Sequence, residues 1–140
     1  MEENYGNQFN PEGYSDPTAY EAIRNLEKQK WRSLVYVCSP YSGDVEGNTL
    51  KARRFSRFAV DQGAIPLTPH LFFPQFVSEE AERDLVLFMD LVLLGRCEQL
   101  WVFGSEVTSG MAAEIARAKR KGMAIRYFTE ECVETDEEDE

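Results

Sequence analysis

One aspartate, Asp90, interrupts the apolar run LVLFMDLVLL that extends from Leu85 to Leu94. Apolar residues occupy every side of a helix of this length, so the helix is predicted to be buried nearly all round. A buried carboxyl group has a raised pKa, which suits it to donate or share a proton near neutral pH. Asp90 is therefore a candidate catalytic acid. The structural alternative is a carboxylate whose charge is compensated by a helix terminus or an arginine.

A second candidate segment is GSEVTSGMAAE. Ser109 and Gly110 begin a predicted helix whose free N–H groups and dipole favour a phosphate or another anion. Glu114 follows one turn later. In the structural alternative, Thr108 or Ser109 only caps the helix, and Glu114 is an acidic residue favoured by the helix dipole.

The third candidate segment follows the β-rich stretch SLVYVCS and reads PYSGD. Tyr36 lies within the predicted strand, while Ser39, Tyr41 and Gly43 lie at its end. His70 is the single histidine, in TPHLFF, and histidine can bind ligands or exchange protons near neutral pH. Each residue also has a structural alternative: Tyr36 as core, Gly43 as a turn residue and His70 as an ordinary loop residue.

Predicted strands alternate with predicted helices along the chain. The strands cover residues 33–39, 64–69, 99–104 and 123–128, and the helices cover 45–62, 79–94, with Ser78 as N-cap, and 108–122. HLFFPQF is predicted to be a packed loop. This order predicts an α/β fold, a three-layer Rossmann/flavodoxin-like parallel sheet with helices on both faces. Ligands bind such sheets at the carboxyl ends of the strands, where the three candidate segments would converge.

The chain of 140 residues, 43% of them hydrophobic, is long enough for one core, and the regular domain is predicted over residues 33–129. Residues 1–32 are predicted to be a flexible segment and a short helix, with Asp16 as N-cap and Pro17 at the first helical position. Residues 130–140 resemble a disordered acidic tail. The eight acidic residues of this tail account for −8 of the net charge of −10, which leaves −2 for the rest.

Composition also excludes several classes of protein. No basic stripe of the kind that binds duplex nucleic acid stands out, and KARRFSR is typical of a solvated helix face, so duplex nucleic acid is not expected as a partner. Cys38, Cys97 and Cys132 form no CxxC pair, which argues against a disulfide framework or a zinc site and favours the reducing cytoplasm. No apolar run approaches the ~20 residues of a membrane span, and the N-terminus is unlike a secretion signal.

The stretch DLVLLGRCEQLWVFGSEVTSGMAAEIARA, from Asp90 to Ala118, resembles the nucleoside 2-deoxyribosyltransferase superfamily. That group includes 2'-deoxynucleoside 5'-monophosphate N-hydrolases and uncharacterised phage-type relatives. The family pattern begins with an aspartate on a helix and an acidic residue eight positions later, which Asp90 and Glu98 match. An apolar strand follows, here LWVF, and then a glycine with a glutamate four positions on, which Gly110 and Glu114 match. VYVCSPYSGD resembles the first strand and loop, so the likeness covers roughly residues 33 to 128.

The resemblance implies that Glu114 attacks the anomeric carbon of a 2-deoxyribose, that Asp90 handles the proton of the departing base, and that Tyr36 orients Glu114. No metal or organic cofactor is implied, and the partner would be a small-molecule nucleoside or nucleotide. The substrate-binding residues would be Ser39, Tyr41, Gly43, His70, Thr108, Ser109 and Gly110.

Two departures from the family pattern leave the substrate open. Thr108 stands where transferases of free nucleosides usually have aspartate, and a hydroxyl there is typical of the monophosphate hydrolases. The first loop, however, lacks the arginine of those hydrolases. Besides an N-glycosidase or deoxyribosyltransferase, two other functions remain open: a non-catalytic nucleotide-binding or signal-sensing module, and a purely structural interaction protein. In each case the apolar helix 79–94 predicts a homodimer or higher symmetric oligomer.

Overall fold

A computed structural model describes residues 17–27 and 31–136. The chain divides into two units, residues 1–31 and 32–140. In the first unit, helix α1 covers Pro17–Glu27 and ends with Arg24 in its last turn, where a cation complements the helix dipole. The predicted N-cap, Asp16, lies outside the described residues.

The second unit is an α/β domain built on a five-stranded sheet in the order β2-β1-β3-β4-β5. The first four of these strands are mutually parallel, and β5 is antiparallel to β4. This confirms the predicted fold class. The elements are β1 (Leu34–Cys38), α2 (Val45–Asp61), β2 (Ile65–Leu67), α3 (Arg83–Leu94), β3 (Gln99–Phe103), α4 (Ser109–Arg120), β4 (Ala124–Phe128) and β5 (Glu134–Thr135).

Alternate residues of β1 belong to two separate hydrophobic clusters. Tyr36 and Cys38 pack with residues of α3 and α4, whereas Val35 and Val37 pack with residues of α2. Successive side chains of a strand point to opposite faces, so the two clusters lie on the two faces of the sheet. The strand order reverses between β1 and β3, and the loops that follow these two strands flank the crevice where ligands bind in such sheets.

Helix α3 begins at Arg83, so the prediction that it starts at Glu79 was wrong. Ser78 does cap the chain here: its Oγ accepts a hydrogen bond from the Ala81 amide at 3.0 Å, and its own amide donates to the Glu82 carboxylate at 2.9 Å. These bonds close a separate turn over residues 79–82. Glu82, with φ of −118° and ψ of 38°, then interrupts the helical geometry. Ser78 is therefore a cap, as predicted, but it caps the turn that precedes α3 and not α3 itself.

The residues before this turn are a packed segment, as predicted, and contain two short 3₁₀ turns at Pro69–Leu71 and Phe73–Gln75. Among the helices that the structure describes, none is long and apolar enough to cross a membrane.

The expectation of a disordered tail from residue 130 was wrong for residues 130–136. These residues form a turn and strand β5, and Glu134 makes a bidentate ion pair with Arg126 at 2.9 and 2.7 Å. The Arg126 guanidinium also lies 4.7 Å from the centre of the Trp101 ring. A two-residue strand that pairs with β4 and carries one ion pair to Arg126 leaves no periodic signal in the sequence. Residues 137–140 lie outside the described residues.

Candidate active site

A buried hydrogen bond joins β1 to α4. The Tyr36 hydroxyl donates to Glu114 Oε2 at 2.7 Å, and the two residues are only 1% and 3% exposed. Thr108 caps α4, since its Oγ1 accepts a hydrogen bond from the Met111 amide at 3.2 Å. The structural alternative is thus realised in part, because Thr108 is the cap of α4. Glu114, however, faces the interior rather than the solvent.

Asp90 lies on the buried face of α3, between Val86 and Leu94 at helical spacings of four residues. It is 4% exposed, and its Oδ1 atom has no hydrogen-bond partner among the residues that the structure describes. A buried polar atom without a partner costs free energy, so neither an arginine nor a helix terminus compensates this oxygen. Asp90 lines the same cavity as Glu114.

The pKa values of both carboxyl groups are raised. Burial, reinforced by the charges of Glu114 and Glu79, raises the pKa of Asp90 to about 8. Burial also raises the pKa of Glu114 to about 7, although hydrogen bonds from Tyr36 and Cys38 oppose the effect. Between these values Asp90 is mainly protonated while Glu114 is mainly ionised. The pair can therefore supply an acid and a nucleophile at the same pH.

The Tyr36 phenol remains a hydrogen-bond donor over this range. Burial and the neighbouring Glu114 charge raise its pKa well above the ordinary value. It therefore holds one Glu114 oxygen in place.

The cavity that contains the two carboxyl groups has a volume of about 540 Å³. Six of the seven residues predicted to bind substrate line it: Tyr41, Gly43, His70, Thr108, Ser109 and Gly110. Ser39 does not line this cavity. Ser39 is 1% exposed, and it borders a smaller cavity that is also lined by Pro40 and Asn48. The sequence placed Ser39 at the strand end but could not show which way its side chain points.

His70 forms part of the cavity wall through a structural contact. Its Nε2 lies 3.1 Å from the Ser39 carbonyl oxygen, so Nε2 carries the proton when the ring is neutral. Burial lowers the pKa of His70, which keeps the ring neutral. Its ring centre lies 5.1 Å from that of Tyr41, and the two rings are tilted by 31°. His70 thus has the predicted structural role and also faces the ligand space.

The loop after β1 is held by three local features. The Asn48 amide group donates to the carbonyl oxygens of Tyr41 and Ser42, each at 3.1 Å. Asp44 caps α2 by accepting a hydrogen bond from the Gly47 amide at 3.1 Å. Gly43 has a φ of +94°, which favours glycine at this turn. These contacts fix the position of Tyr41 at the cavity.

Four charged residues of the cavity wall were not predicted: Glu79, Glu80, Arg83 and Asp84. Their segment was assigned to the first turns of a helix, whereas Glu79 and Glu80 belong to a separate turn at 79–82 that lines the cavity. Arg83 Nη2 donates to Ser109 Oγ at 3.0 Å and so connects α3 to the start of α4. The charge density of EEAERD was the one available signal, but it is equally typical of a solvated surface.

The described part of the chain contains no group of three His, Cys, Asp or Glu residues with metal-binding geometry.

The sequence matches the family model described as a domain of unknown function, DUF7768, over residues 33–128. The chain belongs to this family. The match runs from the start of β1 to the end of β4, so every residue that lines the 540 Å³ cavity lies within the DUF7768 domain. No curated protein matches the sequence significantly.

Proposed function

We propose that this DUF7768 protein cleaves or transfers the N-glycosidic bond of a 2'-deoxynucleoside or its 5'-monophosphate, with Glu114 as nucleophile. The observation that carries the proposal is the 2.7 Å hydrogen bond from Tyr36 to Glu114 at a cavity that Asp90 also lines. A fixed carboxylate beside a second, protonated carboxyl group is the arrangement that double-displacement glycoside chemistry requires.

In the first step, one Glu114 oxygen attacks the anomeric carbon and the bond from that carbon to the base nitrogen breaks. The bonding electrons go to the base, which takes the Asp90 proton. In the second step, water or a second base attacks the anomeric carbon and releases Glu114. Asp90 accepts the proton of the incoming group, so both carboxyl groups return to their starting states. The reaction written in this way uses protein side chains only.

The protonation states fit these roles. The pKa of about 8 at Asp90 supplies the proton for the leaving base, and the pKa of about 7 at Glu114 supplies an ionised nucleophile. The Tyr36 hydrogen bond fixes the position of one Glu114 oxygen, Oε2, and so orients the carboxylate.

The cavity has a size and a lining that suit a nucleoside. Its volume of about 540 Å³ lies within the usual range for small-molecule sites. The Tyr41 and His70 rings offer a surface for the base, and Thr108, Ser109 and Gly110 line the space at the start of α4. The resemblance of Asp90, Gly110 and Glu114 to the deoxyribosyltransferase pattern supports the same assignment.

We also propose that the protein works as a cytoplasmic homodimer. The outward side of α3 exposes apolar residues, with Leu85 46%, Phe88 64% and Val92 42% exposed. A contiguous apolar face of this kind is typical of a symmetric subunit interface. Cys38, Cys97 and Cys132 are free thiols, which fits a reducing compartment.

The test is incubation of the purified protein with a panel of 2'-deoxynucleosides and their 5'-monophosphates, with release of free base followed by chromatography. The proposal predicts base release, and exchange when a second base is added if the enzyme is a transferase. Glu114→Gln provides the inactive reference. Tight binding without release from any member of the panel would instead support the non-catalytic nucleotide-binding or signal-sensing module.

A further inference from the structure

Glu79 forms part of the cavity wall although it belongs to neither α3 nor α4. It lies in the turn before α3, it lines the cavity, and its Oε2 atom is buried without a hydrogen-bond partner among the described residues. Its charge raises the pKa values of Tyr41, Asp90 and Glu114, so it lies close to all three. Burial raises the pKa of Glu79 itself, and the Arg83 charge opposes this effect.

The cavity wall carries an excess of negative charge. Besides the protonated Asp90, four carboxyl groups line it, those of Glu79, Glu80, Asp84 and Glu114, against the single guanidinium of Arg83. Arg83 is four residues after Glu79 and donates a hydrogen bond to the Ser109 hydroxyl at the start of α4. Arg83 also acts on Glu79, whose pKa it lowers, so part of its positive charge is already offset within the cavity wall. An anionic group entering this space would meet net repulsion.

The unpartnered oxygens point to the kind of ligand that the cavity accepts. Asp90 Oδ1, in a side chain 4% exposed, and Glu79 Oε2 are both buried and lack partners among the described residues. An ionised carboxylate only accepts hydrogen bonds, so a ligand that satisfies Glu79 must bring a hydroxyl or amino group. A phosphate brings further acceptors and negative charge instead.

We propose that Glu79 is a specificity-determining residue, which accepts a hydrogen bond from a ligand hydroxyl or amino group and repels a ligand phosphate. This inference rests on the proposed function and narrows it: the substrate is the uncharged 2'-deoxynucleoside and not its 5'-monophosphate. Thr108 then acts as the cap of α4, a role that it fills through Met111.

The experiment measures binding by titration calorimetry in a Glu114→Gln background, so that no turnover interferes. The probes are 2'-deoxyadenosine, 2'-deoxycytidine and their 5'-monophosphates. Each nucleoside is expected to bind at least about tenfold more tightly than its monophosphate, as expected for one uncompensated charge in a partly buried site. Adding Glu79→Gln should weaken nucleoside binding and bring the ratio of the two dissociation constants close to one.

The matched control is Glu106→Gln, which removes one negative charge from an exposed residue outside this cavity. It should leave the binding ratio unchanged within about threefold, since the charge of an exposed residue outside the cavity is screened by water and salt. Glu79→Ala should also bring the ratio of the two dissociation constants close to one. This variant takes the place of Glu79→Gln if the glutamine variant does not fold.

Three outcomes would overturn the inference: monophosphates that bind as tightly as nucleosides, no binding of either, or an equal change of the ratio by Glu106→Gln. Cleavage by the unmodified protein is scored separately. Release of base from monophosphates in preference to nucleosides would overturn the role of Glu79 and leave the glycosidic function standing. Selective nucleoside binding without any cleavage would overturn the glycosidic function and leave the role of Glu79 standing.

Discussion

Replacing Asp90 with asparagine should stabilise the protein increasingly as the pH rises. In the folded protein burial raises the pKa of Asp90 from 3.8 to about 8, whereas the unfolded chain ionises near the ordinary value. The folded state therefore holds a proton that the unfolded state has lost, so stability falls as pH rises from about 4 to about 8. Each pH unit in this window removes about 1.4 kcal/mol, so Asp90 should destabilise the protein by an additional 2–3 kcal/mol, roughly, between pH 6 and pH 9.

The assay is urea denaturation of both proteins at intervals from pH 6 to pH 9, with the free energy of unfolding extrapolated to water. Any cost of burying the asparagine amide is independent of pH and shifts the whole curve, so the informative quantity is the change in the difference between the two curves. Asp84→Asn is the matched control, because Asp84 is exposed on the same helix, and its difference curve should be flat within about 0.5 kcal/mol. Parallel curves for the unmodified protein and Asp90→Asn would refute the raised pKa.

Three further predictions concern the tyrosine, the apolar face and the C-terminal segment. Tyr36→Phe removes a hydrogen bond that lowers the pKa of Glu114, so the acidic limb of the pH profile of kcat/KM should move to higher pH; an unmoved limb would contradict this. Phe88→Glu should convert a dimer into a monomer in light scattering, and an unmodified protein that is already monomeric at micromolar concentration would refute the proposed interface. Deleting residues 130–140 should lower Tm by roughly 4–8 °C for each kcal/mol that β5 contributes, whereas deleting residues 137–140 should not; equal effects of the two deletions would show that β5 is dispensable.

Local sequence patterns were sufficient to predict β1 to β4 and the three helices between them. The spacing of apolar residues differs between strands and amphipathic helices, so the two kinds of element can be told apart. Gly63 and Gly122, with φ of +87° and +71°, follow α2 and α4 at the positions where helix ends were expected. Strand β5 and the start of α3 depend on tertiary contacts. Glu134 pairs with Arg126 only after β4 has joined the sheet, and the Ser78 cap is compatible with either a helix or a turn.

The candidate site was predictable where burial or motif spacing marked a residue. An aspartate within an apolar helix must face the interior, so Asp90 was identifiable from its neighbours alone. Glu79 was not, because a glutamate beside Glu80 in a charged segment is usually solvated, and only the folded turn buries its Oε2 atom. Ser39 is close to the cavity in the chain, but it borders a smaller neighbouring cavity and is not among the residues that line this one.

The most direct test of the glycosidic mechanism is the rate of base release by Glu114→Gln. The glutamine preserves the shape and can still accept the Tyr36 hydrogen bond, but it cannot act as the nucleophile. Release should fall by several orders of magnitude, roughly 10³-fold or more, while nucleoside binding is retained, and Glu106→Gln should keep its activity. Glu114→Ala should regain part of the rate when formate is added as a replacement carboxylate. Undiminished base release by Glu114→Gln would contradict the account.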